Sequence, residues 1–145
     1  SPAAVHRYLG RVSGPLMDRI DLHVEVTPVG REEMSSDEVA ESSASIRERV
    51  MRAREVQAKR FQGLGIYTNT MMSSSMLRRF CPLSEPVRRL LDAAMERLQL
   101  SARAYDRIIK VARTIADLAG AADIEPSHIS EAITYRSLDR ESWGR

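Results

Sequence analysis

The chain has 145 residues, of which 43% are hydrophobic and 29% are charged, and its formal net charge at pH 7 is +2. These proportions are typical of one ordinary globular domain, and they exclude a large multi-domain machine and wholesale disorder. No apolar run approaches the roughly 20 residues that a membrane span needs, so we expect a soluble, cytoplasmic protein. The chain has one cysteine, Cys81, so it cannot form an internal disulfide. Because its three histidines are scattered, we also expect no structural metal site.

The first 20 residues predict two short helical pieces. Ser1 and Pro2 read as an N-cap followed by a proline in the first turn of a helix that Gly10 ends. A turn at residues 13–15 then opens one further helical turn through Asp18. Because the first residue is Ser rather than Met, we expect the chain to begin inside a larger protein.

Residues 20–26 alternate between apolar and polar side chains, which predicts a β-strand with one buried face. The apolar side chains of this strand are those of Ile20, Leu22, Val24 and Val26. No second segment alternates as well, so we expect that the neighbouring strands are absent from the chain.

The remainder of the chain predicts helices. After a linker at residues 28–36, Ser36 is expected to cap a helix that runs to about Phe61, with a narrow apolar stripe and a basic second half. A short helix is expected at residues 73–80. The two most strongly periodic helices are capped by Ser84 and Ser101, and a last short helix begins at Pro126.

Known catalytic motifs are absent from the sequence. The chain contains no phosphate-binding loop, no dinucleotide-binding glycine motif, no zinc-protease motif and no nucleophile elbow. The sequence therefore predicts that the chain alone performs no catalysis of these kinds.

Two groups of basic residues are candidates for function. Arg19 lies just before the predicted strand, where it either projects from the fold or forms a local ion pair with Asp18 or Asp21. Arg103, Arg107 and Lys110 share one face of the helix capped by Ser101, where they either sense a phosphate or form a solvated face. The residues alone leave both alternatives open.

Several stretches together resemble one family. These are residues 1–10, VSGPLMDRIDLHVEV at 12–26, LSARAYDRIIKVARTIADLAG at 100–120, and parts of 128–136. Together they resemble the C-terminal part of the magnesium-chelatase-like AAA+ ATPases of the bacterial competence protein ComM type. The resemblance covers nearly the whole chain.

The resemblance implies a mainly α fold: an AAA+ helical lid bundle preceded by a short helix and a single β-strand derived from the ATPase core. It implies four parts. Residues 1–30 would be the C-terminal end of the AAA+ core, 31–36 a linker, 37–136 the helical lid and 137–145 a tail.

The resemblance also implies roles for the candidate residues. Arg19 would be an arginine finger that acts on the nucleotide of a neighbouring subunit, and Arg103, Arg107 and Lys110 would be candidates for the nucleotide sensor of the lid. ATP and Mg would be the cofactors of the full-length parent, with neither bound tightly by this chain, and the parent would be a homo-oligomeric ring that acts on DNA in recombination. The alternatives are a stand-alone helical module that binds nucleic acid or protein, and a motor subunit of a metal chelatase.

Overall fold

The computed structural model describes residues 10–28, residue 30 and residues 40–136. Within these residues the regular structure is entirely helical, which confirms the mainly α fold class. The helices are α1 (Gly14–Met17), α2 (Ser43–Arg60), α3 (Ser74–Phe80), α4 (Glu85–Arg97), α5 (Ala102–Leu118) and α6 (Pro126–Thr134), with a 3₁₀ turn at Asn69–Met71. The predicted helix at the N-terminus, most of the linker and the tail lie outside the described residues.

Helix α5 is the centre of the bundle. It packs against α2, α3, α6 and the 3₁₀ turn, while α4 packs against α6. The spacing of apolar residues along α4 and α5 directs one face of each helix into a common core. The side chains in this core that are at most 1% exposed are those of Phe61, Val87, Leu91, Ile108, Ala112, Ile129 and Ala132.

The predicted serines occupy the N-cap positions of α4 and α5. The Ser101 hydroxyl accepts a hydrogen bond from the backbone N–H of Ala104 at 3.2 Å, as predicted for the start of α5. Ser84 is the N-cap residue of α4, also as predicted, but its side chain forms no capping hydrogen bond. Gly120 follows the end of α5 with φ of +71°, a conformation that costs glycine little and other residues more.

The start of α2 differs from the prediction. Residues 40–42 are not helical, and the hydroxyl of Ser42 accepts the capping hydrogen bond from the N–H of Ser45 at 3.2 Å. The helix therefore does not begin directly after the predicted cap Ser36, which itself lies outside the described residues. Both serines offer the same capping chemistry, so the sequence alone could not choose between them. The predicted apolar stripe is also only partly buried, because Ala53 is inside while Ile46 and Val50 are 41% and 43% exposed.

The strand predicted at residues 20–26 does not form, which corrects that part of the expected fold. The segment is irregular and forms no β-ladder with any residue that the structure describes. Its apolar side chains are all exposed, with Val26 reaching 85%, and of its polar side chains His23 is buried at 6% exposure while Glu25 is exposed. A strand requires a neighbour to bond its N–H and C=O groups, and the described residues supply none.

Candidate functional site

Arg19 lies at the end of the short helix α1. The carbonyl of Ser13 accepts hydrogen bonds from the N–H groups of Leu16 and Met17, which closes this single turn. The Arg19 guanidinium donates to the carbonyl oxygen of Pro15 at 2.8 Å, and the side chain is exposed. The turn therefore presents a charged, forked donor to solvent.

Of the two alternatives for Arg19, the local ion pair is not formed. Neither Asp18 nor Asp21 contacts the Arg19 guanidinium. The Asp21 carboxylate instead forms an ion pair with Arg107 of α5 and accepts a hydrogen bond from the Thr70 hydroxyl at 3.4 Å. Arg19 thus keeps its charge uncompensated by any carboxylate among the residues that the structure describes.

The three basic residues on the face of α5 have different surroundings. Arg103 is exposed in the first turn and forms no ion pair with a described residue. Arg107 is bound to Asp21, and the Lys110 ammonium donates to the carbonyl of Thr70 at 3.0 Å. The spacing places all three on one face as predicted, but only Arg103 points its charge at open solvent.

The segment that carries Arg19 is attached to the bundle by its backbone as well. The Arg136 guanidinium donates to the carbonyl of Ile20, and the N–H of His23 donates to the carbonyl of Tyr135 at 2.9 Å. The His23 ring also lies 3.3 Å from the Met17 carbonyl, through its Nε2 atom. These links, together with the ion pair of Asp21, hold residues 20–23 against α5 and the end of α6.

A buried polar network, which the sequence patterns did not reveal, joins α2, the 3₁₀ turn and α5. The Asp117 Oδ1 atom accepts hydrogen bonds from the Arg60 guanidinium and from Arg113 Nε, the latter at 3.0 Å. The Asp117 Oδ2 atom accepts hydrogen bonds from the Arg60 guanidinium at 2.8 Å and from the Asn69 amide at 2.9 Å. Asn69 also donates to the Thr114 hydroxyl at 3.0 Å. The Arg113 and Asp117 side chains are 3% and 0% exposed, so this network stabilises the fold and does not form a binding site.

The network fixes the charge of its members. Burial alone would raise the pKa of Asp117, but hydrogen bonds from Arg60 and Asn69 and the charges of Arg113 and Arg60 outweigh it and lower this pKa. The Asp117 hydrogen bond in turn raises the pKa of Arg60. A carboxylate held in its charged form by four donors has no lone pair placed to take a proton from a substrate.

Neither a metal centre nor a reactive thiol is built from the described residues. No group of three or more potential metal ligands is found among them. Cys81 is buried, and burial raises the pKa of its thiol to about 11 against the opposing charges of Arg113 and Arg60. At neutral pH this thiol is protonated, so it is a poor nucleophile.

Three of the six basic residues of α2 are paired with carboxylates, while Arg47, Arg54 and Lys59 form no ion pair with a described residue. Arg49 binds Glu41 at 2.7 Å, Arg52 binds Glu48 at 2.7 Å, and Arg60 is taken up by the buried network. Polyanion binding depends on uncompensated cations, so these pairs weaken the case for a stand-alone nucleic-acid-binding helix.

Within the described ranges, no helix combines the length and apolarity that crossing a bilayer requires.

The bundle, with an arginine-bearing segment fastened to its central helix, has the architecture of the helical lid of an AAA+ ATPase. Residues 40–136 match the family model described as magnesium chelatase, subunit ChlI C-terminal, and residues 1–34 match the model for magnesium chelatase, subunit ChlI. The chain therefore belongs to the magnesium chelatase ChlI C-terminal family.

Individual relatives agree with this assignment. The chain is 42% identical over 142 residues to competence protein ComM of Haemophilus influenzae and 42% identical over 142 residues to protein YifB of Escherichia coli. It is 38% identical to YifB of Salmonella typhimurium over the same length. Each alignment covers 97% of this chain but only 27% of the relative, so the chain spans about a quarter of the length of these curated relatives.

Proposed function

We propose that this chain is the lid region of a magnesium-chelatase-like AAA+ ATPase and contributes Arg19 as an arginine finger to ATP hydrolysis. The observation that carries the proposal is the exposed Arg19 guanidinium, which is held at a turn and is not bound by any carboxylate among the described residues. A planar, permanently charged donor suits the charge that develops on a phosphoryl group during transfer. The Arg19 side chain is exposed, which leaves it accessible to a neighbouring subunit, and in this proposal it acts on the nucleotide of that subunit.

Arg103 is the residue best placed to sense nucleotide within the same subunit. It is exposed in the first turn of α5, beside N–H groups that favour an anion. Arg107 and Lys110, the other two candidates on this face, already donate to Asp21 and to the Thr70 carbonyl. Closure of the lid over bound ATP brings Arg103 to the phosphates.

The exposed apolar row of Leu22, Val24 and Val26 supports the proposed division of the chain. An alternating row at these exposures is suited to a sheet in a longer protein, where residues 1–30 complete the AAA+ core. Residues 31–36 then link that core to the lid at 37–136, and residues 137–145 follow as a tail.

The proposal extends to the partners and cofactors of the full-length parent. The full-length parent uses ATP and Mg, which would be held mainly by a phosphate loop that these 145 residues do not encode. It assembles through the core as a homo-oligomeric ring in the cytoplasm and acts on DNA in recombination, in keeping with the name of the competence relative. A motor subunit of a metal chelatase is the alternative, and DNA-stimulated hydrolysis separates the two.

The experiment uses the full-length parent. Arg19→Ala should leave ATP binding unchanged and reduce kcat by about 10³-fold, as expected when a finger supplied in trans is lost. Arg103→Ala should weaken ATP binding as well as turnover, because a lid sensor contacts nucleotide in the ground state.

Mixed rings give the deciding result. Arg19→Ala subunits are combined with subunits whose phosphate loop is disabled, so that each kind supplies what the other lacks. Recovery of hydrolysis supports a finger that acts across the interface. Mixed rings that form but stay inactive would refute it.

A further inference from the structure

The ion pair between Asp21 and Arg107 joins the segment that carries Arg19 to the helix that carries Arg103. We propose that Arg107 is a positioning residue: through Asp21 it sets the location of the Arg19 finger, and it does not contact the phosphates of ATP. This inference rests on the proposed function and adds to it a coupling between the two sites.

The distance along the chain makes the link effective. Asp21 lies two residues after Arg19, and two residues span at most about 7 Å of extended chain. Fixing the Asp21 carboxylate on α5 therefore confines the backbone of Arg19 to a small volume. The Arg107 and Asp21 side chains are 28% and 40% exposed, so the pair is only partly screened by water.

Neighbouring contacts reinforce the same position. The Thr70 hydroxyl donates to the second oxygen of Asp21, and the Thr70 carbonyl accepts from Lys110. Arg136 and the His23 N–H secure the backbone on either side of Asp21 through the Ile20 and Tyr135 carbonyls. Of the cations on the α5 face, Arg107 thus holds the finger segment directly, and Lys110 contributes only by binding Thr70.

Electrostatics argues against Arg107 as a phosphate sensor. A phosphate that approached Arg107 would meet the Asp21 carboxylate already bound there, and like charges at this separation repel. Arg103, one helical turn before Arg107, has no carboxylate partner among the described residues. The phosphate contact therefore belongs to Arg103, and the movement of α5 that follows is transmitted through Arg107 to Arg19.

Mixed rings of the full-length parent distinguish the two roles of Arg107. Arg107→Ala should lower kcat at least 10-fold while the Kd for ATP stays within twofold, and activity should return when these subunits are mixed with subunits disabled in the phosphate loop. A phosphate sensor acts on the nucleotide of its own subunit, so its loss would weaken ATP binding. Loss of ATP affinity in Arg107→Ala would overturn the proposal.

Charge exchange provides the second arm. The double variant Asp21→Arg with Arg107→Asp should recover at least half of the activity lost by either single variant, since the pair is restored with its polarity reversed. Failure of this rescue in rings that assemble normally would also overturn the proposal that the pair of Asp21 and Arg107 acts as a latch, meaning that it holds the Arg19 segment on α5. If Arg107→Ala does not fold, Asp21→Asn breaks the same pair from the other side and should reproduce the kcat defect.

The controls separate this inference from the proposed function. Arg103→Ala, on the same face of α5, should lose ATP affinity and should not be rescued in mixed rings. If Arg19→Ala leaves turnover unchanged, the finger itself is refuted, and the latch has no catalytic consequence. If Arg19→Ala behaves as a finger and Arg107→Ala does not follow it, only the latch is refuted.

Discussion

Replacement of Asp117 by alanine should destabilise the bundle far more than a typical surface change. The carboxylate is 0% exposed and accepts hydrogen bonds from Arg60, Asn69 and Arg113. Its removal leaves the Arg113 guanidinium, itself 3% exposed, without its only charged partner among the described residues. Breaking a buried ion pair from one side costs about 3 to 5 kcal/mol.

One contribution opposes this loss. Asp117 lies in the last turn of α5, where a negative charge is unfavourable to the helix dipole by about 0.3 to 1 kcal/mol. The expected net loss is therefore about 3 kcal/mol, a large part of the roughly 5 to 15 kcal/mol that stabilises a domain. Urea unfolding of the 145-residue chain measures it, and with a slope of about 2 kcal/mol per molar the midpoint should fall by about 1.5 M.

Asp106→Ala is the matched control on the same helix. Asp106 accepts one hydrogen bond, from the Ser74 hydroxyl at 2.6 Å in an exposed setting, so its loss should cost about 1 kcal/mol or less. Equal losses for the two variants would contradict the view that the buried network secures the bundle.

The same carboxylate makes stability depend on pH in a defined direction. The pKa of Asp117 is lowered in the folded chain from its ordinary value of 3.8, so the unfolded chain binds the proton more readily. Its contribution to stability is complete above pH 3.8 and is lost as the pH falls through the folded pKa. The stability difference between the wild type and Asp117→Asn should therefore shrink in acid, and a difference that grows there would be inconsistent with this sign.

Three further predictions concern the core, the thiol and catalysis. Leu91→Ala should lower the unfolding free energy by about 2 to 5 kcal/mol, because Leu91 is 0% exposed, whereas Leu64→Ala at 39% exposure should change it little in the same urea assay. Cys81 should react with a thiol reagent at neutral pH only after the chain is unfolded, since its pKa is about 11 and its side chain is buried; fast reaction of the folded chain would count against this assignment. The 145-residue chain should hydrolyse no ATP because it encodes no phosphate loop, and a Mg-dependent turnover that survives stringent purification would refute this.

Periodic and local signals in the sequence predicted most of the bundle. The apolar spacing of α4 and α5 and the capping serines Ser84 and Ser101 act within a few residues, so they could be recognised without the fold. The alternation at 20–26 is just as regular, but strand formation depends on a partner strand, and the sequence of one strand does not specify it. The predicted start of α2 after Ser36 was wrong because Ser42 offers the same capping chemistry six residues further along the chain.

Most polar contacts of the site could not be predicted from periodic or local patterns in the sequence. Arg107 and Asp21 are 86 residues apart, and Arg60 and Asp117 are 57 apart, so no local pattern pairs them. Within the buried network, Arg113 and Asp117 lie four residues apart on one helix face and form a pair that spacing could have indicated, as does the surface pair of Glu48 with Arg52. The sequence predicted that Arg103, Arg107 and Lys110 lie on one helix face. It could not predict which of them is bound by another residue, because those contacts depend on the tertiary fold.

The exposed first half of α2 has a consequence for the response of the protein to salt. Only Ala53 and Gln57 of this helix are buried, so its first two turns depend on the Ser42 cap and on the pairs of Glu41 with Arg49 and of Glu48 with Arg52. Ion pairs at the surface weaken as the Debye length shortens with ionic strength, whereas the core contacts of Ala53 do not. Increasing salt should therefore fray α2 from its N-terminus while the rest of the bundle keeps its structure, which makes the length of this helix adjustable by the ionic surroundings.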